Sequence, residues 1–252
     1  MIDLQHVTKT YAKNSKKAVD DLTLKVEGGE LFGFIGPNGA GKTTTIKMMT
    51  GVLQPDEGTI TMAGHRMDSE RLEAQRMIGF VPDGNDLYDR LTGMEYLNFM
   101  ADIFGVSAED RKRRGEKYLE IFEMTQAAGD RISSYSRGMK QKIASIGALI
   151  HNPPIWVLDE PMVGLDPRAA FLLKEEMKRR AAEGATVFFS THVLEVAEKM
   201  CDKVGIINQG KLIMEGSPED LIARRGDASL EELFLELTEK DQESPKEEDE
   251  RK

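Results

Sequence analysis

Residues 31 to 43, Leu31-Phe32-Gly33-Phe34-Ile35-Gly36-Pro37-Asn38-Gly39-Ala40-Gly41-Lys42-Thr43, decide the fold. A short apolar run bounded by glycine reads as a strand buried on both faces, and a helical pattern from Thr43 to Thr50 follows the loop. The loop has the spacing G-x-x-x-x-G-K-[ST] between strand and helix, the context a phosphate cradle requires. In such a loop, backbone N–H groups converge on anionic oxygens, glycines avoid Cβ clashes, and the following helix points its positive end at the ligand. Gly36, Pro37, Asn38, Gly39, Ala40, Gly41, Lys42, Thr43 and Thr44 are therefore expected to bind a nucleotide, with Lys42 on the β and γ phosphates and Thr43 on Mg²⁺. At average residue usage a chance match in a chain of this length is on the order of one in a hundred. A dinucleotide fingerprint fails, because these glycines are spaced G-x-x-G-x-G.

Working outward, Ile155-Trp156-Val157-Leu158 is a second buried run and ends in Asp159-Glu160. An acid pair after a strand is often only a cap or a solvated turn. About 120 residues beyond a phosphate loop, Asp159 reads as a metal ligand acting through water and Glu160 as the group that orients attacking water. Ala185 to Phe189 is a third such run. Leu22, Leu24 and Val26, and residues 58 to 64, alternate apolar with polar, the mark of antiparallel strands with one wet face. Between Gly93 and Ile150 no strand pattern stands out. Met94 to Phe104 and Ala108 to Met124 read as helices, the latter opened by Ser107. Asp166 caps a helix from Pro167 to Glu183, ended by Gly184. Val204 to Ile207 and Lys211 to Met214 flank Asn208-Gln209-Gly210, a hairpin signal, and short helices begin at Pro218 and Ser229. The expected fold is α/β: a P-loop NTPase core with a mixed sheet, an antiparallel β-subdomain and an inserted α-helical lobe.

Composition agrees with a single domain carrying a lobe. The chain has 252 residues, 34 Lys plus Arg against 44 Asp plus Glu, and one cysteine, Cys201. At this length a full core forms without staples, and one cysteine excludes an intrachain disulfide framework. No stretch reaches the ~18 apolar residues of a spanning helix, and no signal peptide is visible at the N-terminus. The net charge of −10 argues against nucleic acid as the main partner. Residues 239 to 252 hold seven acids and four bases, −3 of that charge, and read as a solvated, disordered acidic tail.

Three further motifs narrow the class. Ser136-Arg137-Gly138-Met139-Lys140-Gln141 opens a helix, Gly164-Leu165-Asp166 follows the acid pair, and Ser190-Thr191-His192 ends the third buried run. In this order and spacing, residues 1 to 225 resemble the nucleotide-binding subunit of an ABC transporter. The resemblance implies ATP and Mg²⁺ as cofactors and a head-to-tail dimer with a second, identical or closely related, ATP-binding subunit. Two ATP molecules would lie between the phosphate loop of one chain and Ser136 and Gly138 of the other. It implies that His192 contacts the γ-phosphate beside Glu160, that Tyr11 stacks on adenine, and that Asp166 couples the two sites. Ser136 caps its helix in either case.

Two departures stand out. The family commonly carries glutamine in the loop joining core and lobe, where this chain has Asp83 after Ile78-Gly79-Phe80-Val81-Pro82; a carboxylate there would reach the metal through water. The signature segment has Arg137 where glycine is usual, a positive charge near the partner's phosphates. The resemblance further implies an integral membrane permease as partner and a cytoplasmic location on the inner face of the membrane. The lobe would span about 86 to 150, with residues 226 to 252 forming a short helix and tail. Leu230, Leu233, Phe234 and Leu237 form a small apolar face that packs either on its own domain or on a partner. This ending and the signature are similar to exporter-type bacterial cassettes. A soluble cassette of DNA repair or translation would show zinc cysteines, a long coiled-coil insertion or a second cassette, none of which is in the sequence. A regulatory module without turnover would not need Lys42, Asp159, Glu160 and His192 together.

Overall fold

The structure, a computed structural model, describes residues 1–11, 16–84, 87–223 and 229–240, the last four as backbone only. In chain order the first half runs β1 (Ile2–Thr10), β2 (Lys17–Val26), β3 (Leu31–Ile35), α1 (Lys42–Met49), β4 (Glu57–Met62), β5 (His65–Arg66), α2 (Arg71–Arg76) and β6 (Ile78–Val81). The helices α3 (Gly93–Ile103), α4 (Ala108–Ile121) and α5 (Arg137–Leu149) come next. The chain then continues through β7 (Ile155–Leu158), α6 (Pro167–Ala182), β8 (Thr186–Thr191), α7 (Leu194–Met200), β9 (Lys203–Asn208), β10 (Lys211–Gly216), α8 (Pro218–Ala223) and α9 (Leu230–Lys240).

Two sheets form. One is antiparallel with strand order β2-β1-β4-β5, and the other has the order β10-β9-β3-β8-β7-β6. The second is parallel except for the β9–β10 hairpin, in which Asn208 pairs with Lys211 and Gln209 and Gly210 both take positive φ (47° and 84°). Two successive residues with positive φ make the tight turn whose twist matches its strands. All five residues of β3 and all four of β7 are buried, as their unbroken apolar runs require. In β2 the buried positions alternate with exposed ones, the pattern of a sheet with one solvated face.

Three apolar clusters hold these layers. The helices of the middle segment pack with Trp156, Leu158, Val187 and Phe189 from one face of the parallel sheet. The antiparallel sheet packs with Phe32, Phe34, Val157 and Phe188 from the other. Burying a side chain the size of Phe188 or Trp156 contributes roughly 1.5–3 kcal/mol each, so this sandwich fixes the sheet on which the site is built. A third cluster joins α7, α8 and the sheet's end to Leu230 and Leu233, with Phe234 half-buried beside them. The apolar face of α9 therefore docks on its own chain. The side chain of Leu237 and the acidic tail lie outside the described residues.

Two elements differ from the sequence reading. The helix opened by Ser107 ends at Ile121, three residues early, because Glu123 takes positive φ (55°) and turns the chain. Ile78–Val81, given no element there and noted only as leading to Asp83, is the edge strand of the parallel sheet, paired with all of β7. Its small Gly79 and flanking proline masked the strand pattern. Between Gly93 and Ile150 the described residues form helices joined by short turns, with no strand beyond the isolated bridge of Thr92 with Arg131.

Candidate active site

Topology assembles the site before any side chain is considered. Strands β3, β8, β7 and β6 lie side by side and parallel, so the residues following each emerge at one end of the sheet. After β3 comes the loop from Gly36; after β8, His192; after β7, Asp159 and Glu160; after β6, Asp83. The register pairs Ile35 with Thr191, Leu158 with Phe189 and Val81 with Leu158, which sets these four exits in one row.

The phosphate loop ends at Gly41, whose φ of 113° and whose closeness to the Ala18 carbonyl oxygen, 2.5 Å from where a Cβ would stand, admit only glycine. Gly41 is also the N-cap of α1, and no side chain caps that helix. Four helices of the lobe and its surroundings are capped, α3 by Thr92, α4 by Ser107, α5 by Ser136 and α6 by Asp166, whereas α7, which begins just after His192, shares with α1 the lack of a side-chain cap. The first-turn donors of α1 thus face the cleft with no side chain claiming them, an anion site by construction.

Pro37, Asn38, Gly39, Gly41, Lys42, Thr43, Thr44, Asp83 and Glu160 line one open cleft, together with Ala18. Lys42 is buried, and its Nζ donates to the carbonyls of Gly36 (2.7 Å) and Pro37 (3.3 Å). The same Nζ lies 3.2 Å from Glu160 Oε1. Glu160 Oε2 lies 3.0 Å from His192 Nδ1, so the glutamate is held between an ammonium and an imidazole. Its carboxylate is only 11% exposed, whereas the His192 side chain is 49% exposed. Tyr11, at the end of β1, is 43% exposed and places its Oη 3.4 Å from Thr44 Oγ1, beside the loop.

Asp159 is buried and hydrogen bonds to the hydroxyls of Ser190 (2.6 Å) and Thr43. Burial pushes its pKa above the usual carboxylate value; those two hydroxyls oppose the shift, while the negative fields of Asp83 and Glu160 add to it. A site that disfavours its own carboxylate is relieved by a cation. The donors present, a carboxylate, a threonine hydroxyl and an outlying carboxylate at Asp83, are hard oxygens of the kind Mg²⁺ takes.

Ser190 entered the sequence reading only as part of the Ser190-Thr191-His192 motif, with no role of its own. Its buried Oγ donates to Asp159 Oδ1 and accepts the N–H of Glu160 at 2.9 Å, orienting both carboxylates at once. That N–H belongs to a residue with a φ of 46°, a strained conformation the serine helps to hold. A hydroxyl in the fully buried run Val187-Phe188-Phe189-Ser190 was the available signal.

Ser136 and Gly138 are not among the residues lining the cleft. Ser136 caps α5 by accepting the Met139 N–H at 3.2 Å. Gly138 faces the loop after the acid pair: a Cβ there would stand 3.8 Å from Leu165 and 3.9 Å from Asp166 Oδ2. Asp166 in turn accepts the Ala169 N–H at 2.9 Å.

Residues 19–163 match the family model described as ABC transporter. The chain belongs to that family. It is 37% identical over 235 residues to the linearmycin resistance ATP-binding protein LnrL of Bacillus subtilis, covering 93% of this chain and 75% of that protein. It is 37% identical over 233 residues to the Nod factor export ATP-binding protein I of Burkholderia thailandensis, covering 92% and 76%. Among solved structures, an ATP-binding subunit of an ABC transporter superposes with a TM-score of 0.89 at 34% identity, covering 94% of this chain and 99% of that one. A dimeric ATP-binding cassette in a post-hydrolysis state, bound to ADP and phosphate, superposes with a TM-score of 0.78 at 27% identity, covering 86% and 98%. This ABC protein is an ATP-binding subunit and an ATPase. Among the described residues no helix is long and apolar enough to cross a membrane.

Proposed function

We propose that the chain powers export through a separate membrane-spanning permease, docked at the cytoplasmic face, by closing head to tail on a second ATP-binding subunit. Residues 1 to 225 act as the ATPase domain, with the lobe over about 86 to 150, and residues 226 to 252 as its appendage. Export is favoured because relatives with resistance and export in their names match across nine-tenths of the chain. The observation that carries the shared-site reading is the position of Ser136 and Gly138: neither lines the cleft of its own chain, and Gly138 stands beside Leu165 and Asp166. Donors at that helix start serve the γ-phosphate of a facing subunit.

Each residue then has a task. The backbone from Gly36 to Thr44, Ala40 included, wraps the phosphates, and the adenine stacks on Tyr11. Lys42 leaves Glu160 for the β and γ oxygens when they arrive. Thr43 and Asp159 would hold Mg²⁺, with Asp83 reaching it through water, and the ion bound there would supply positive charge against the departing phosphate. Glu160, released from Lys42 but still held by His192, orients water and takes its proton. His192 presents its other nitrogen to the γ-phosphate. Loss of the γ-phosphate removes the tie between subunits and reopens the dimer.

Glu160→Gln keeps the shape and removes the base. It is expected to bind Mg-ATP, lose hydrolysis by about 10²–10³-fold, and accumulate as a dimer in light scattering. Hydrolysis at the normal rate, or a monomer at saturating Mg-ATP, would overturn the proposal.

A further inference from the structure

Arg137 departs from the family's signature pattern, as Tyr135 and Met139 also do, and nothing assigned so far uses it. A charge aimed at a partner's phosphate would extend away from its own chain. Instead the side chain lies across Gly164. A Cβ built on Gly164 would come 2.7 Å from Arg137 Cδ, 2.7 Å from Nε and 3.0 Å from Cζ. Gly164 has a φ of 76°, and with no side chain it leaves a bare backbone face for the guanidinium plane to cover. Arg137 is exposed, and no carboxylate among the described residues ion-pairs with it, so contact with the loop is what defines its course.

Gly164 belongs to the loop that carries Glu160 away from β7. That loop is loosely tied within itself: the Val163 N–H reaches the Glu160 carbonyl at 3.2 Å and the Leu165 N–H reaches Met162 at 3.4 Å. Its firmer ties lie at its ends, Ser190 on the Glu160 N–H and Asp166 capping α6. Between them Met162 and Leu165 pack against the apolar cluster, while the exposed Gly164 lies under Arg137 and Leu165 also meets Gly138 on the first turn of α5.

We propose that Arg137 is a positioning residue that clamps the Glu160–Asp166 loop in its own chain, linking the signature segment to the catalytic glutamate beside it. The inference rests on the shared-site reading for its purpose. Ser136 touches the partner's nucleotide, Arg137 is the next residue, and its side chain passes any shift of that helix start to the loop behind Glu160.

The test is steady-state ATP hydrolysis by the full-length chain. Arg137→Ala is expected to lower kcat about tenfold with KM changed less than about twofold, since a misplaced base slows the chemical step and leaves nucleotide binding alone. Arg137→Met retains an unbranched stem over Gly164 without the charge and is expected to keep kcat within about twofold of the parent. Parental kcat in Arg137→Ala would overturn the clamp. So would rescue by Arg137→Lys but not Arg137→Met with KM raised, which would make Arg137 a charge facing phosphate. Light scattering of Glu160→Gln with Mg-ATP reports separately on the shared site. A monomer there overturns the shared-site reading, whereas a dimer lost only on adding Arg137→Ala overturns the clamp.

Discussion

The start of α1 and the start of α5 both present helix donors to solvent, yet they differ in what satisfies them. At α1 the cap is Gly41 in a left-handed conformation, with no side chain on the first-turn donors and a buried Lys42 folded back onto its own loop. At α5 Ser136 closes the turn on the Met139 N–H. Glycine in place of a side-chain cap costs only about a few tenths of a kcal/mol, and α1 carries that small cost where a phosphate would occupy its free donors. The helix at Ser136 is complete without ligand, so it can wait exposed as half of a site. The contrast separates a pocket built to grip from a surface built to meet one.

The largest effect should fall on the grip. Lys42→Ala removes the one cation among the residues lining the cleft, and ATP affinity is expected to fall roughly 10- to 100-fold by calorimetric titration, the range for losing a charge-assisted contact. Unchanged affinity would assign the whole grip to backbone donors and break the comparison at α1.

A smaller effect concerns the far end of α5. There the ring of largely buried His151 stacks on Phe104, with centroids 3.7 Å apart and planes 3° from parallel. Burial, reinforced by Arg114 and Arg180, lowers its pKa from 6.5 to about 4. The neutral ring is the form that folds, so its contribution is intact above the unfolded value of 6.5 and is lost as pH falls from there toward 4. Between pH 7 and pH 5 the parent should lose about 2 kcal/mol through this group. His151→Phe, which keeps the stack, should lose that much less, as urea midpoints at the two pH values would show. Equal losses would remove His151 as an acid-sensitive anchor of the signature helix.

The smallest effect sharpens the other side. Ser136→Ala is expected to cost about 1 kcal/mol of stability, read from the urea midpoint, with nucleotide binding by the isolated subunit unchanged. Weakened binding in a form shown to be monomeric would mean that the segment serves its own cleft.

Much of this was legible because the motifs are local. The phosphate loop, the acid pair and Asp166 with Pro167 each carry their chemistry within a few residues, where spacing and backbone demands are visible. Strand β6 was harder to see, since it has only four residues, one of them Gly79, and a proline follows. Ser190 was passed over because serine at a strand end has many ordinary uses, and only the fold sets it between two carboxylates separated from it by about 30 residues. The course of Arg137 was equally hidden, since charge suggested a phosphate while packing sends the stem across Gly164.

The amino-acid sequence alone determined the presence of a phosphate-gripping loop, a metal-and-water acid pair and the order of elements between them, because these rest on short-range backbone geometry and periodicity. Only the tertiary structure decided that Lys42 holds Glu160, that Ser190 orients both carboxylates, and that Ser136 stands off its own cleft. Those contacts join parallel strands and a helical lobe through a shared core, and distances set by packing across the chain are not encoded in the spacing of any one segment.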